Sequence, residues 1–287
     1  MSEILEVQGL SKRYKNSDFQ LSDVSFSIPS GSIMGFVGEN GAGKTTTIGC
    51  ILNTRLKDSG TVKIFGKEMT DESMDIRDDI GIVYDENAFP EHLTPLKVGS
   101  AMKQIYSKWD NDLYREHLRK FKLPEKQKIK AFSRGMTMKL TVAVAMSHNP
   151  KLLILDEATA GLDPIAREEI LDVFLGFVQD ESRSILMSSH ITTDLEKIAD
   201  YITFVHDGKV ILSEKKDDLI YNYGVLRCKS AQFELIDKED IVSYRNQGHQ
   251  IDVLISDKHS MSKKYSDVVI DNISIEEIML ILVKGNK

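Results

Sequence analysis

The stretch from Ile33 to Gly49 constrains this chain more than any other. Its apolar beginning, Ile33 to Val37, predicts a buried strand, and a helix is predicted from Thr46. The loop between them reads Gly38-Glu39-Asn40-Gly41-Ala42-Gly43-Lys44-Thr45. This fits the pattern G-x-x-x-x-G-K-[ST]. A strand, a glycine-rich loop and a helix in this order are typical of a loop that binds phosphate groups.

The residue types of this loop suit a phosphate ligand. Glycines let backbone N–H groups turn inward around an anion, and the next helix directs the positive end of its dipole at the same anion. Lys44 can reach β- and γ-phosphates, and the Thr45 hydroxyl can ligate Mg²⁺. The alternative is a glycine-rich turn between strand and helix, which we favour less because a chance match to the whole pattern is rare.

The length and net charge of the chain narrow the classes of protein to which it can belong. The 287 residues suffice for one large or two modest domains. A net charge of −7 argues against a surface that binds nucleic acid, which is usually basic. Cys50 and Cys228 lack metal or redox spacing, so we expect reduced thiols. We see no signal peptide, and the longest apolar run, Ile278 to Val283, is too short to span a bilayer. A role at a membrane therefore requires a partner.

Hydrophobic periodicity predicts an α/β fold in two parts. Because of the phosphate loop, residues 1–216 are expected to form a P-loop NTPase core, a mixed sheet around that loop, with an N-terminal antiparallel β subdomain and a helical insert over about residues 87–150. Within the insert, Asn111 or Asp112 is the expected N-cap of the second helix and Ser133 that of the third. Residues 217–287 form a small α+β appendage, with a helix near residues 238–245.

A second acidic motif supplies what a phosphate loop needs for chemistry. The apolar strand Leu152 to Leu155 ends in Asp156 and Glu157. Asp156 can bind Mg²⁺ directly or through water, and Glu157 can polarise an attacking water. The alternative is two solvated acids at a turn, and we favour it less because the same chain also contains the phosphate loop.

Four further features carry little meaning individually. Ser133 precedes a helix, which makes it either an ordinary N-cap or part of a second, lysine-free anion site. Asp163 before a proline is an N-cap, with or without a functional contact. His190 follows a strand, where a lone His is usually a surface or capping residue. Tyr14 alone indicates only a packing aromatic.

Together these motifs resemble the ATP-binding subunits of ATP-binding-cassette (ABC) transporters. The features occur in the order Tyr14, Gly38 to Thr45, Ser133-x-Gly135, Asp156-Glu157, Asp163 and His190. The resemblance covers about residues 1–215. It is greatest to ATPase subunits of bacterial exporters of the bacitracin-resistance type, which have a similar Ser-Arg-Gly-Met signature, chain length and C-terminal extension.

The resemblance implies a role for each matching position. The implied nucleotide-binding residues are Tyr14 (stacked on adenine), Gly38, Glu39, Asn40, Gly41, Ala42, Gly43, Lys44, Thr45, Thr46, Ser133, Arg134, Gly135 and Asp163. The implied metal ligands are Thr45, Asp85 and Asp156, and the implied catalytic residues are Lys44, Glu157 as general base and His190 as a γ-phosphate contact. Ser133 and Gly135 are expected to face ATP bound to a second subunit of a head-to-tail homodimer or heterodimer.

Two departures from the family pattern stand out. The usual signature, Leu-Ser-Gly-Gly-Gln, is changed here by Phe132, Arg134 and Met136, and Arg134 either adds positive charge near the γ-phosphate or is solvated. The family also usually has Gln after the strand that matches Ile80 to Tyr84, where this chain has Asp85. We hypothesise that Asp85 keeps a role on the metal side, with altered coupling to the membrane partner.

The leading interpretation is an ATPase that uses ATP and Mg²⁺ to power an integral-membrane transport subunit, most simply an exporter. It is expected to be cytoplasmic and to be held at the inner face of the plasma membrane by that subunit. Residues 85 to about 110 resemble the surface on which the membrane subunit docks in this family. One alternative is a soluble ABC ATPase of translation or DNA repair. Another is a nucleotide-gated binding module without hydrolysis, against which Glu157 argues.

Overall fold

The computed structural model describes residues 3–85 and 89–286. The strands are β1 (Glu3–Arg13), β2 (Gln20–Pro29), β3 (Ile33–Val37), β4 (Ser59–Ile64), β5 (Lys67–Glu68), β6 (Ile80–Tyr84), β7 (Leu152–Asp156), β8 (Ser184–Ser189), β9 (Tyr201–His206), β10 (Lys209–Lys215), β11 (Gly224–Cys228), β12 (Ser243–Asn246), β13 (Ile251–Ile255) and β14 (Val269–Asp271). The helices are α1 (Lys44–Ile51), α2 (Met74–Arg77), α3 (Pro95–Ile105), α4 (Asn111–Lys120), α5 (Arg134–Met146), α6 (Pro164–Phe177), α7 (Thr192–Ile198), α8 (Lys216–Tyr221), α9 (Ser230–Phe233), α10 (Lys258–Lys264) and α11 (Ile275–Lys284).

A six-stranded mixed sheet forms the core, in the order β10-β9-β3-β8-β7-β6. β3 pairs in parallel with β8 on one side and with β9 on the other. All five residues of β3 are buried, as their apolar run predicts. Because parallel strands end at the same edge, the loop after β3 lies at the edge where β7 and β8 also end. The predicted mixed sheet around the phosphate loop is confirmed.

The N-terminal strands form a separate antiparallel sheet in the order β2-β1-β4-β5. β1 extends well beyond the predicted segment Ile4 to Val7. The prediction ended early because a register shift between Val7 and Leu10 breaks the alternation of buried and exposed residues. Gly9 lies in that irregularity with a φ of 61°. A bulge of this kind bends the strand, so a simple alternation pattern ends early. β1 thereby reaches Arg13, directly before Tyr14.

Helices α3, α4 and α5 lie between β6 and β7. The predicted N-cap of α4, Asn111 or Asp112, is wrong. Asp110 is the cap, because its extended backbone lets the carboxylate accept hydrogen bonds from the N–H groups of Asp112 and Leu113. Ser133 caps α5, as predicted. Residues 86–88, within the predicted docking segment, lie outside the described residues.

A third, four-stranded sheet follows in the order β12-β13-β11-β14. The predicted helix near residues 238–245 is wrong, because only a 3₁₀ turn, Lys238–Asp240, forms there and Ser243 begins β12. β12 pairs antiparallel with β13, which satisfies the backbone groups that a helix would pair internally.

The last helix, α11, joins this third sheet to the ATPase core. Ile275, Ile278 and Ile281 are fully buried, in the same hydrophobic cluster as Leu195 of α7. Glu196 of α7 accepts a 2.8 Å hydrogen bond from the Ile275 N–H, which is one of the unpaired donors at the start of α11. The third sheet is therefore anchored to the core by packing and by a side-chain cap.

Candidate active site

The loop after β3 has the shape of a phosphate cradle. Gly43 adopts a φ of 112° immediately before α1, a conformation that favours glycine. A Cβ atom on Gly38 would lie 2.4 Å from the carbonyl oxygen of Val205, so no larger residue fits there. Lys44 is buried, and its Nζ donates hydrogen bonds to the carbonyl oxygens of Gly38 (2.7 Å) and Glu39 (3.2 Å). The lysine therefore folds back over the loop.

Three predicted catalytic residues, Lys44, Glu157 and His190, lie together. The Nζ of Lys44 is 3.1 Å from Oε1 of Glu157, an ion pair whose angles are not those of a hydrogen bond. The Nδ1 of His190 lies 2.7 Å from Oε2 of the same carboxylate. Glu157 has a φ of 55° and its N–H donates to the carbonyl of Ser188, so the neighbouring strand holds this strained backbone.

Asp156 ends β7 beside this cluster. Its side chain is buried, and Oδ1 accepts a 2.5 Å hydrogen bond from the hydroxyl of Ser188. Tyr84, its register partner on β6, has a raised pKa, first because of burial and then because of the Asp156 charge. Asp85 follows Tyr84, but its carboxylate is ion-paired with Arg134. Asp85 is thus one residue beyond the register partner of Asp156, and its carboxylate is engaged by Arg134.

Two adjoining cavities extend from the loop. The first, of about 350 Å³, is bounded by the loop, Phe19, Thr45, Thr46 and Glu157. The second, of about 630 Å³, contains Tyr14 and Arg55 and shares Phe19 and Thr46 with the first. The glycine-rich loop at one end and the Tyr14 ring at the other suit a ligand with a phosphate chain and a flat group. Sequence reasoning missed Phe19 and Arg55, because neither belongs to a local motif.

Ser133, Gly135 and Asp163 form a second cluster. The hydroxyl of Ser133 accepts from the N–H of Met136, and a Cβ on Gly135 would lie 3.7 Å from Oδ2 of Asp163. Asp163 caps α6, and the N–H of Ala166, donating to its carboxylate, holds the pKa of Asp163 below its usual range. None of the described residues that line the phosphate-loop cavity comes from this cluster.

The residues at the loop fit Mg²⁺ when a nucleotide supplies the remaining ligands. Mg²⁺ takes one or two carboxylates, waters and substrate phosphates rather than a cage made only of protein ligands. Thr45 and Asp156 provide a hydroxyl and a carboxylate, and Oε1 of Glu157 is a buried oxygen that makes an ion pair with Lys44 but accepts no hydrogen bond within the described residues. Residues 3–85 and 89–286 contain no group of three or more His, Cys, Asp or Glu that could hold a metal ion by themselves.

The sheet order, the loop and the acidic strand end define a P-loop nucleoside triphosphatase. The ABC transporter family matches residues 21–160. The lantibiotic transport ATP-binding protein SrtF of Streptococcus pyogenes is 34% identical over 219 residues, which cover 75% of this chain and 92% of SrtF. This chain therefore belongs to the ABC transporter family, as an ATPase subunit.

Two further comparisons support the same family assignment. The bacitracin transport ATP-binding protein BcrA of Bacillus licheniformis is 32% identical over 255 residues, covering 88% of this chain and 81% of BcrA. A solved structure of the ATP-binding subunit of an ABC transporter superposes with a TM-score of 0.66 at 28% identity, covering 81% of this chain and 94% of that one. No helix within the described ranges is long and apolar enough to cross a membrane.

Proposed function

We propose that this chain binds ATP and Mg²⁺ and hydrolyses ATP to power an integral-membrane transport subunit that exports its substrate. The observation that carries this proposal is the cluster of Lys44, Glu157 and His190 at the mouth of the phosphate loop. Export is supported by the relatives named for lantibiotic and bacitracin transport. The same names favour transport over a soluble role in translation or DNA repair.

The side chains of this cluster have distinct tasks. The Glu157 carboxylate accepts a proton from the water that attacks the γ-phosphorus, and Lys44 stabilises the negative charge that develops on the phosphates. His190 orients Glu157 through Nδ1, and its other ring nitrogen would contact the γ-phosphate. Bound Mg²⁺ would neutralise the β- and γ-phosphates, held by Thr45 and Asp156, with Asp85 as a further ligand.

The second cluster supports a head-to-tail dimer with two ATP molecules at its interface. Ser133 caps α5 and Gly135 lies in its first turn, where the free N–H groups suit an anion, yet neither residue lines the cavity that contains Lys44. A second subunit, identical or related, would place its α5 terminus against this γ-phosphate, with Asp163 at the interface. The ATPase domain spans residues 1–216 and the appendage residues 217–287, and the membrane subunit would hold the complex at the cytoplasmic face.

The test is Glu157→Gln, which keeps the shape of the side chain and removes its basicity. We expect ATP affinity close to wild type and phosphate release reduced at least about a hundredfold, the usual contribution of a general base. The control is Glu72→Gln, at an exposed Glu. Near-normal turnover in Glu157→Gln would refute the assigned base. Co-purification with a multi-spanning membrane protein tests the transport role separately.

A further inference from the structure

We infer that Arg55 is a nucleotide-binding residue that contacts the α-phosphate of ATP while holding the Tyr14 ring in position. This inference rests on the proposed ATP site and adds a contact that no sequence motif indicates. Its basis is the place of Arg55 in the larger cavity beside Thr46, its hydrogen bonds and the groove in which its side chain lies.

The guanidinium group of Arg55 links the two walls of the nucleotide site. Its Nη1 donates to the hydroxyl of Tyr14 and to Oγ1 of Thr46, both at 3.1 Å. Tyr14 lines the larger cavity, and Thr46 lies where the two cavities meet. Because a guanidinium has five N–H donors, Arg55 retains donors for a ligand after making both bonds.

The order of groups along the cavities identifies the phosphate that Arg55 would meet. Lys44 and Glu157 lie in the smaller cavity, and a lysine at this position of the loop reaches the β- and γ-phosphates. The junction at Thr46 is therefore the side of the α-phosphate, with the nucleoside beyond it. A planar guanidinium matches two phosphate oxygens in geometry and in charge. Within the described residues no carboxylate forms an ion pair with Arg55, so its charge is available for an anion.

Gly49 shapes the groove that holds Arg55. A Cβ atom on Gly49 would lie 2.7 Å from Cδ and 2.9 Å from Cγ of Arg55. Glycine is a poor helix former, yet it lies inside α1 at this point. Its absent side chain lets the Arg55 stem lie flat against the helix, directing the guanidinium towards Thr46.

The experiment measures nucleotide binding by calorimetry in the full chain, with Mg²⁺-ATP and Mg²⁺-ADP on the Glu157→Gln background. We expect Arg55→Ala to raise the Kd of both nucleotides by the same factor, about tenfold, because both carry an α-phosphate. Arg55→Lys should recover part of the loss, and Gly49→Ala should reproduce part of it by displacing the arginine stem. Lys57→Ala removes a nearby charge outside both cavities and should bind as the parent does.

Kinetics and a second variant separate the possible roles of Arg55. With Glu157 intact, Arg55→Ala should raise KM and leave kcat within about twofold, since Arg55 does not line the cavity that contains Glu157. Tyr14→Phe removes only the hydroxyl, so it should weaken binding less than Arg55→Ala does. Unchanged affinity in Arg55→Ala, or a loss fully reproduced by Tyr14→Phe, would overturn the inference while leaving the proposed function intact. If wild type binds no nucleotide and Lys44→Ala makes no difference, the proposed function fails and the inference with it.

Discussion

At the scale of single residues, the two departures from the family pattern are partners. Asp85 follows β6 and Arg134 begins α5, 49 positions apart, and their side chains form an ion pair. The guanidinium of Arg134 also covers Gly161, where a Cβ would lie 2.9 Å from Cζ. The sequence marks each position as unusual, but it cannot show that one unusual residue neutralises the other.

The pair makes a prediction about Mg²⁺. Arg134→Gln frees the Asp85 carboxylate, so we expect the Mg²⁺ concentration for half-maximal ATPase activity to fall about threefold. The effect is small because an exposed ion pair stabilises by at most about 1 kcal/mol. Asp85→Asn should raise that concentration, and adding Arg134→Gln to it should have no further effect. A steady-state titration with Mg²⁺ measures all three variants. Identical Mg²⁺ curves for them and for wild type would exclude a metal-side role for Asp85.

Local motifs made most of the candidate site predictable. The phosphate loop is one continuous stretch of sequence, and so is the pair Asp156-Glu157. The loop follows the buried strand β3, and the pair lies at the end of the buried strand β7. Arg55 was not predictable, because its contacts with Tyr14 and Thr46 depend on how β1 and α1 meet in space. The same limit applies to Phe19, which faces both cavities from the segment between β1 and β2.

At the scale of elements, periodicity predicts the type of most segments, while their ends depend on individual hydrogen bonds. β3 agrees with prediction to the residue, since its run without polar side chains lies between Ser32 and Gly38. The start of α4 was misplaced because three adjacent residues, Asp110 to Asp112, are all good caps and sequence alone does not rank them. The error at β12 arose because strand pairing with β13 prevailed over a weak helical pattern.

The corrected cap can be tested by stability. Asp110→Ala removes the acceptor for two backbone N–H groups at the start of α4, so we expect the free energy of unfolding to fall by about 1 kcal/mol. Asp112→Ala is the matched control, and it should cost only about 0.3 kcal/mol through the helix dipole. Urea unfolding monitored by circular dichroism gives both values. Equal losses in the two variants would contradict the assignment of Asp110.

At the scale of the whole molecule, two buried histidines, His148 and His117, link stability to pH. His148 is fully buried, stacks on Tyr106 at 4.0 Å, and has Nε2 3.1 Å from the carbonyl oxygen of Ile80. His117 of α4 is also buried. Burial lowers the pKa of both below the ordinary value of 6.5, so the folded chain binds protons at these two positions less readily than the unfolded chain does. Below pH 6.5 the unfolded chain binds protons that the folded chain does not, and folding becomes less favourable.

We therefore expect the free energy of unfolding to decrease as the pH falls from 6.5, by at most about 1.4 kcal/mol per pH unit for His148. His148→Phe keeps an aromatic ring on Tyr106 and cannot titrate, so its stability should depend less on pH even if it is lower overall. His249→Gln, at an exposed position, is the control with an unchanged slope. Urea unfolding at several pH values measures how steeply the free energy of unfolding depends on pH. The same slope in His148→Phe as in wild type would disprove the linkage.

The position of β3 also determines when the chain can fold as it is made. Ile33 of β3 pairs with Ile185 of β8, and Met34 pairs with Tyr201 of β9. At synthesis rates of about 5–20 residues per second, these neighbours emerge roughly 10 to 30 s after β3. The antiparallel pairing of β1 with β2 needs no such delay. A nascent chain can therefore complete its first sheet early, while the strand that carries the phosphate loop waits unpaired and open to chaperones.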